Sequence, residues 1–260
     1  MEKMTFVEYS VKDRICTITL NRPDKRNALN EQVVSELKQA FAYAAEDIDA
    51  KVIVLAARGS AFCAGADLAY LQQLQKNTFE ENLADSNHLK ELFYQIYTHP
   101  KVVIAKIQGH AIAGGCGLAT VCDFSFTVQE AQFGYTEVRI GFIPAIVKVF
   151  LLRKIGEGKA KELLLSGDLI SAEEAKDFGL VNKVVGEDEL DGTVSDFAKK
   201  LVKKNSGQSM QFTKQMIAGV QEMSLEDGLN HAAEQNAKAR ASEDCQKGIS
   251  SFLNKEKPSW

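Results

Sequence analysis

Two stretches of small residues, 62–68 (FCAGADL) and 109–118 (GHAIAGGCGL), constrain this 260-residue chain more than any other feature. Each lies downstream of a continuous apolar run, 52–56 (VIVLA) and 102–107 (VVIAKI), short enough to be a strand covered on both faces. Strand, glycine turn and helix recurring at both places predict an α/β fold with its site at the carboxyl ends of strands. Gly114, Gly115 and Gly117 leave three of four positions without a Cβ where a helix should begin. Glycine there either permits unusual backbone angles or lets a ligand touch the backbone. Close packing of a helix on a neighbouring strand would explain one or two of them, and the matching turn at 64–67 points to function for the rest.

The remaining pattern fills in around these turns. Residues 6–11 and 15–20 alternate apolar and polar around Lys12, Asp13 and Arg14, which predicts a β-hairpin. A polar loop over 21–27 leads to Asn30, which caps a helix with the apolar face Val33, Val34, Leu37, Ala40, Phe41 and Ala44. A helix over 79–97 stops before Pro100, and 122–128 reads as a strand. After Pro144 the pattern is mostly helical, with helices over 145–155, 158–165 and 171–178, the last opened by a Ser-x-x-Glu capping box. An edge strand over 180–185 precedes helices that run to the end, the last over 243–252. The division expected is a core over 1–195 and a helical part over 196–260.

Composition excludes several classes. The formal charge of −4 and the absence of a basic tract before the short run at 199–204 argue against nucleic acid or a membrane surface as partner. Five scattered cysteines without a CxxC pair predict reduced thiols and a cytoplasmic protein. Cys63 and Cys116 sit inside the two turns, but no histidine base is placed beside them in sequence, so small residues filling tight space is the favoured reading. No metal-ligand spacing joins His88, His99, His110 and His231, and His110 is expected to pack. No apolar leader and no run of transmembrane length is read. The 115–120 segment (GCGLAT) has Thr where a dinucleotide fingerprint needs its third glycine, and it falls in mid-chain.

Bare N–H groups from two facing turns would form an oxyanion hole, which stabilises charge developing on a carbonyl oxygen. Glu137 follows the second turn and is the natural proton carrier. Donors plus one carboxylate point to chemistry that makes and quenches an enolate. A carboxylate used this way should be partly desolvated, with a raised pKa.

The motifs then extend over nearly the whole chain: NRP at 21–23, RNAL at 26–29, FxAGAD at 62–67, GxAxAGG at 109–115, CD at 122–123, AxFG at 131–134, ExxxGxxP at 137–144, GD at 167–168 and GLV at 179–181. In these the sequence resembles the crotonase, or enoyl-CoA hydratase/isomerase, superfamily. The resemblance implies a crotonase-type spiral of ββα units with a helical C-terminal part that serves trimerisation. It implies an acyl-CoA thioester as substrate, with coenzyme A carried by the substrate and no separate cofactor. Ala66 and Gly114 would supply the two N–H donors to the thioester oxygen, and Glu137 would move the α-proton. Arg26, Ala28, Ala64, Ala66, Asp67 and Leu68 would line the coenzyme A path, with Phe252 and Lys255 at its nucleotide end. Family members assemble as homotrimers that often pair into hexamers.

Three departures matter. Gly117 stands where well-known hydratases carry a second, water-positioning glutamate, and only Asp123 or Glu130 could fold in nearby. Ala69 replaces a lysine that contacts adenine in the family. The segment 145–156 (AIVKVFLLRKIG) is bulkier than the glycine-rich segment of many relatives, which should crowd the acyl end, with Lys148 a candidate partner for a substrate carboxylate. Gly117 together with 137–146 (EVRIGFIPAI) resembles bacterial methylglutaconyl-CoA hydratases. The reading is therefore hydration of a short, branched 2-enoyl-CoA, with 3-methylglutaconyl-CoA as the specific substrate. The alternatives are a Δ3,Δ2-enoyl-CoA isomerase with Glu137 as sole base, and a non-catalytic CoA-binding paralogue.

Overall fold

A computed structural model describes residues 4–260. The chain opens with an antiparallel hairpin, β1 (Val7–Lys12) and β2 (Ile15–Leu20), whose turn places Asp13 and Arg14 at positive φ. Asn30 accepts the Val33 N–H and starts α1 (Glu31–Glu46), whose apolar face is the expected one. Glu36 also lies on that face, and its carboxylate is tied to the Thr5, Phe6 and Val7 N–H groups at the start of the hairpin.

Three units of long strand, short strand and helix follow. They are β3 (Val52–Ala57), β4 (Ala61–Cys63), α2 (Leu68–Leu74) and α3 (Phe79–Tyr97); β5 (Val102–Ile107), β6 (His110–Ile112) and α4 (Gly114–Val121); and β7 (Phe124–Val128), β8 (Gln132–Gly134) and α5 (Val147–Ser166). The helices read over 145–155 and 158–165 are the two halves of α5, joined at Gly156, whose φ of 75° breaks the helix. A closing unit adds β9 (Ile170–Ser171), α6 (Ala172–Asp177) with the expected capping box, β10 (Lys183–Val185) and α7 (Glu187–Lys204).

Long strands build one sheet in the order β1-β2-β3-β5-β7-β10, parallel from β2 onward. The short strands build a second sheet, β4-β6-β8-β9, in which β4, β6 and β8 are parallel. This winding is the crotonase-type spiral of ββα units. It refines the sequence expectation at one point. The donor turns follow the short strands, not the long ones, because β3 and β5 each hand over to a three-residue strand first. Gly109 lies in the handover from β5 to β6, where a Cβ would fall 2.1 Å from the Ser60 carbonyl oxygen.

Helix α7 runs unbroken across residue 195 and buries Leu190, Val194, Ala198 and Leu201. After it, α8 (Gly207–Val220), α9 (Leu225–Arg240) and α10 (Glu243–Leu253) complete the helical part. Neither α9 nor α10 buries a residue, and Leu225, Leu229, Ile249, Phe252 and Leu253 all stand exposed. No helix among the described residues is long and apolar enough to cross a membrane.

Candidate active site

The second sheet explains why residues far apart in sequence meet. Because β4, β6 and β8 are parallel neighbours in that order, their carboxyl ends lie at one edge. Ala66 follows β4, Gly114 follows β6, and Glu137 follows β8. All three line one cavity of about 300 Å³, with Ala64 and Leu68 at one side and Ile140, Phe142 and Val147 at another.

The first turn is stitched to the segment before α1. The Ala64 N–H donates to the Arg26 carbonyl, Leu29 N–H to Gly65, and Asp67 N–H to Leu29. Leu29 thereby bridges Ala66 in parallel fashion, bonding the residues on either side of it. The Ala66 N–H consequently points away from that segment. Behind the turn, fully buried Asn27 donates to the carbonyls of Arg58 and Ala61 and accepts from the Arg22 N–H. Asp67 caps α2 through Oδ1 and takes the Arg22 guanidinium at 2.6 Å on Oδ2. Burial alone would raise the Asp67 carboxyl, but Arg22 and the capped N–H groups outweigh it and hold it below its ordinary value.

The second turn depends on close packing. Ala113 sits at φ 50°, ψ −122°, a strained angle for alanine, with its N–H held by the Gly134 carbonyl at 2.8 Å. Gly114 opens α4, so its N–H has no partner within the helix, and the helix dipole adds positive character there. A Cβ on Gly115 would fall 2.1 Å from the Cys63 carbonyl oxygen, and one on Gly117 would fall 2.3 Å from Val147 Cγ1. Close packing thus accounts for those two glycines and leaves Gly114 at the cavity. The turns abut, since a Cβ on Gly65 would lie 2.8 Å from Ala113 Cβ and 3.4 Å from the Gly114 nitrogen.

Glu137 begins a 3₁₀ turn, Glu137–Ile140, closed by Gly141 at φ 74°. Buried Tyr135, just upstream, anchors it by bonding Thr120 on α4 at 2.8 Å. The carboxylate is half-buried, and burial raises its pKa, offset in part by its own backbone N–H. Its Oε2 is buried without a hydrogen-bond partner. A buried oxygen in that state calls for a ligand atom.

Other expected residues fall elsewhere. Arg26 and Ala28 stand behind the first turn, Arg26 with an exposed side chain and Ala28 buried. Phe252, 81% exposed, and Lys255 lie on and after α10 and do not line the cavity within this chain. Lys148 is exposed and outside the lining. Asp123 is bound to Lys214 and to the Val103 N–H beneath the C-terminal helices, in a separate cavity of about 870 Å³, and Glu130 is exposed. Cys63 and Cys116 are fully buried, and burial pushes each thiol up to about 12, which removes the thiolate a nucleophile needs.

Sequence reasoning missed the part of the lining that α2 and α3 contribute. Tyr70 of α2 and Asp85 and His88 of α3 line the same cavity, and the Tyr70 hydroxyl donates to Asp85 Oδ1. The available signal was positional. Asp85 shares a helical stripe with Leu89, Leu92, Phe93 and Ile96, the face of α3 that packs on the core.

The sequence profile of the enoyl-CoA hydratase/isomerase family matches residues 10–260. A putative enoyl-CoA hydratase of Thermus thermophilus is 42% identical over 250 residues, covering 95% of this chain and 97% of the relative. The 2,3-dehydroadipyl-CoA hydratase of Escherichia coli is 32% identical, with 96% of each covered. Among solved structures, a putative enoyl-CoA hydratase/isomerase (crotonase) from Legionella pneumophila superposes with a TM-score of 0.89 at 35% identity, covering 98% of this chain and 99% of that one. With its spiral fold and its site at the edge of the second sheet, the chain belongs to the enoyl-CoA hydratase/isomerase family.

Proposed function

We propose that the protein is an enoyl-CoA hydratase acting on a short, branched 2-enoyl thioester. The observation that carries this is Glu137, whose buried Oε2 is without a partner and which shares one small cavity with the outward N–H of Ala66 and the helix-opening N–H of Gly114. The two donors hold the thioester oxygen as it gains charge, and Glu137 delivers its proton to the α-carbon. Hydration needs the protonated carboxyl. Because burial raises its pKa, kcat/KM for hydration falls as pH rises through that value, while dehydration, which needs the carboxylate, gains. Glu137→Gln should lower kcat at least about 10²-fold while sparing CoA binding. An active Gln variant would sink the mechanism.

The specific substrate from the sequence is 3-methylglutaconyl-CoA. The motif around Gly117 and Glu137 supports it. Among the described residues no Lys or Arg lines the cavity for its second carboxylate, and the His88 ring is already engaged by Ser35 and Lys38. The proposed class is therefore short and branched without a required charge. Faster turnover of 3-methylglutaconyl-CoA than of 3-methylcrotonyl-CoA would establish an anionic substrate.

One observation favours the isomerase reading. Val147 fills the space beside Gly117, so α4 brings no second carboxylate to the donors. Shift of a 3-enoyl-CoA double bond without hydration would assign that activity. The exposed apolar residues of α9 and α10 support a homotrimer, or a hexamer of two trimers, in which Phe252 and Lys255 reach a neighbouring copy's coenzyme A path. A monomeric mass by light scattering would exclude it.

A further inference from the structure

Among the described residues two carboxylates line the cavity, Glu137 and Asp85. The Tyr70 hydroxyl fixes Asp85 through Oδ1, and among the described residues Oδ2 meets no hydrogen bond or ion pair. The bond also ties α2 to α3. Helix α2 buries none of its residues, and α3 buries its own only from Leu92 onward. The part of the cavity lining contributed by α2 and α3 is thus pinned by a tyrosine–aspartate contact at a place with few apolar anchors. An ionised carboxylate is acceptor-only, so what it recognises is a hydrogen-bond donor, and the O–H of water is one. Among the described residues no Lys or Arg lines the cavity to neutralise it.

Resting on the hydratase reading, we propose that Asp85, oriented by Tyr70, holds and deprotonates the water that adds to the β-carbon. The water oxygen bonds to the β-carbon as one of its protons passes to Asp85 Oδ2. The electron pair of the double bond shifts to join the α-carbon to the carbonyl carbon, and the carbonyl pair moves onto the thioester oxygen, where the Ala66 and Gly114 N–H groups hold the charge. Protonated Glu137 then gives its proton to the α-carbon, and the thioester carbonyl reforms. One water has been added, Asp85 carries a proton and Glu137 is a carboxylate, and exchange with solvent restores both. Asp85 is thereby the second acid–base group, placed on the wall formed by α2 and α3, while Val147 occupies the space beside Gly117 on α4. Tyr70 is a positioning residue.

The test separates addition at the β-carbon from proton movement at the α-carbon. Hydration of 3-methylcrotonyl-CoA and uptake of deuterium at the α-carbon of isovaleryl-CoA in heavy water are measured on the full-length protein. The second reaction uses Glu137 and the donors but no attacking water. Asp85→Asn should lower the hydration kcat about 10²-fold or more, with KM within a few-fold and deuterium uptake unchanged. Tyr70→Phe should give a smaller loss in the same kcat and leave uptake alone. Hydration at the parent kcat in Asp85→Asn overturns the proposal. So does a change confined to KM, which would make the pair an acyl-chain contact, and so does parallel loss of both reactions, which would make it structural. Failure of the parent protein to hydrate any enoyl-CoA overturns the hydratase reading itself, and this proposal with it.

Discussion

The turn after β4 and the turn after β6 bring one N–H each to the same cavity, yet they are held by different means. The first is a web of polar contacts, in which Asn27 satisfies two carbonyls, Leu29 brackets Ala66, and Arg22 joins Asp67. The second is held by absence of side chains, with Gly115 against the Cys63 carbonyl and Gly117 against Val147. A web loses strength one bond at a time. At Gly115 the close-packed seam has no intermediate state, because the Cys63 carbonyl is backbone and cannot swing aside as a side chain does.

The largest effect should therefore come from the second turn. Gly115→Ala places a Cβ 2.1 Å from the Cys63 carbonyl oxygen and 2.7 Å from its carbon, both main-chain atoms. Overpacking of this kind costs about 3 kcal/mol or more. The expected result in urea unfolding is a midpoint far below the parent's, with turnover lost in whatever fraction stays folded. A near-normal midpoint would show that the seam yields, and the contrast between the turns would fall.

Asn27→Ala tests the first turn. The substitution removes three hydrogen bonds and leaves the Arg58 and Ala61 carbonyls and the Arg22 N–H without their partner. At about 1 kcal/mol per bond the loss is about 3 kcal/mol. Unlike the glycine change it creates no clash, so the protein should stay folded at 25 °C with a lower Tm and a reduced kcat.

The same physical contrast governs how much could be read from the sequence. Elements with periodicity were legible. The helix over 79–97 has the predicted ends, Asn30 and Ser171 cap as expected, and the long strands lie where the apolar runs are. Strands β4, β6 and β8 have three residues each, too few for a period to emerge, so the second sheet was invisible. That sheet is what aligns Ala66, Gly114 and Glu137. Their grouping was legible through motif resemblance, whereas its cause was not. The roles of Gly115 and Gly117 depend on what faces them across the fold, and sequence does not carry that. Asp85 was missed for a related reason. Its partner Tyr70 is on another helix, and an acid on an apolar stripe reads as noise until the cavity behind it is seen.

The smallest expected effect isolates a single strand of the polar web. Asp67→Asn retains a carbonyl oxygen for the Ala69 and Tyr70 N–H groups, and asparagine caps helices as well as aspartate does. What is lost is the acceptor for the Arg22 guanidinium, which an amide NH₂ would oppose. Arg22 keeps its bond to the Ala28 carbonyl and its place over the Phe6 ring, so it is not stranded. A cost of about 1.5 kcal/mol at pH 7 follows, typical of one hydrogen bond to a charged group. The sign of its pH dependence is fixed by Asp67, whose pKa is lower in the folded protein than in the unfolded chain. Its contribution is full above the unfolded value of about 4 and is lost as pH falls through the folded value. The stability gap between parent and variant should accordingly be constant at neutral pH and close under acid. No gap at neutral pH would mean that Asp67 acts through the cap alone, and the first turn would then rest on Asn27 and the backbone bonds to Arg26 and Leu29.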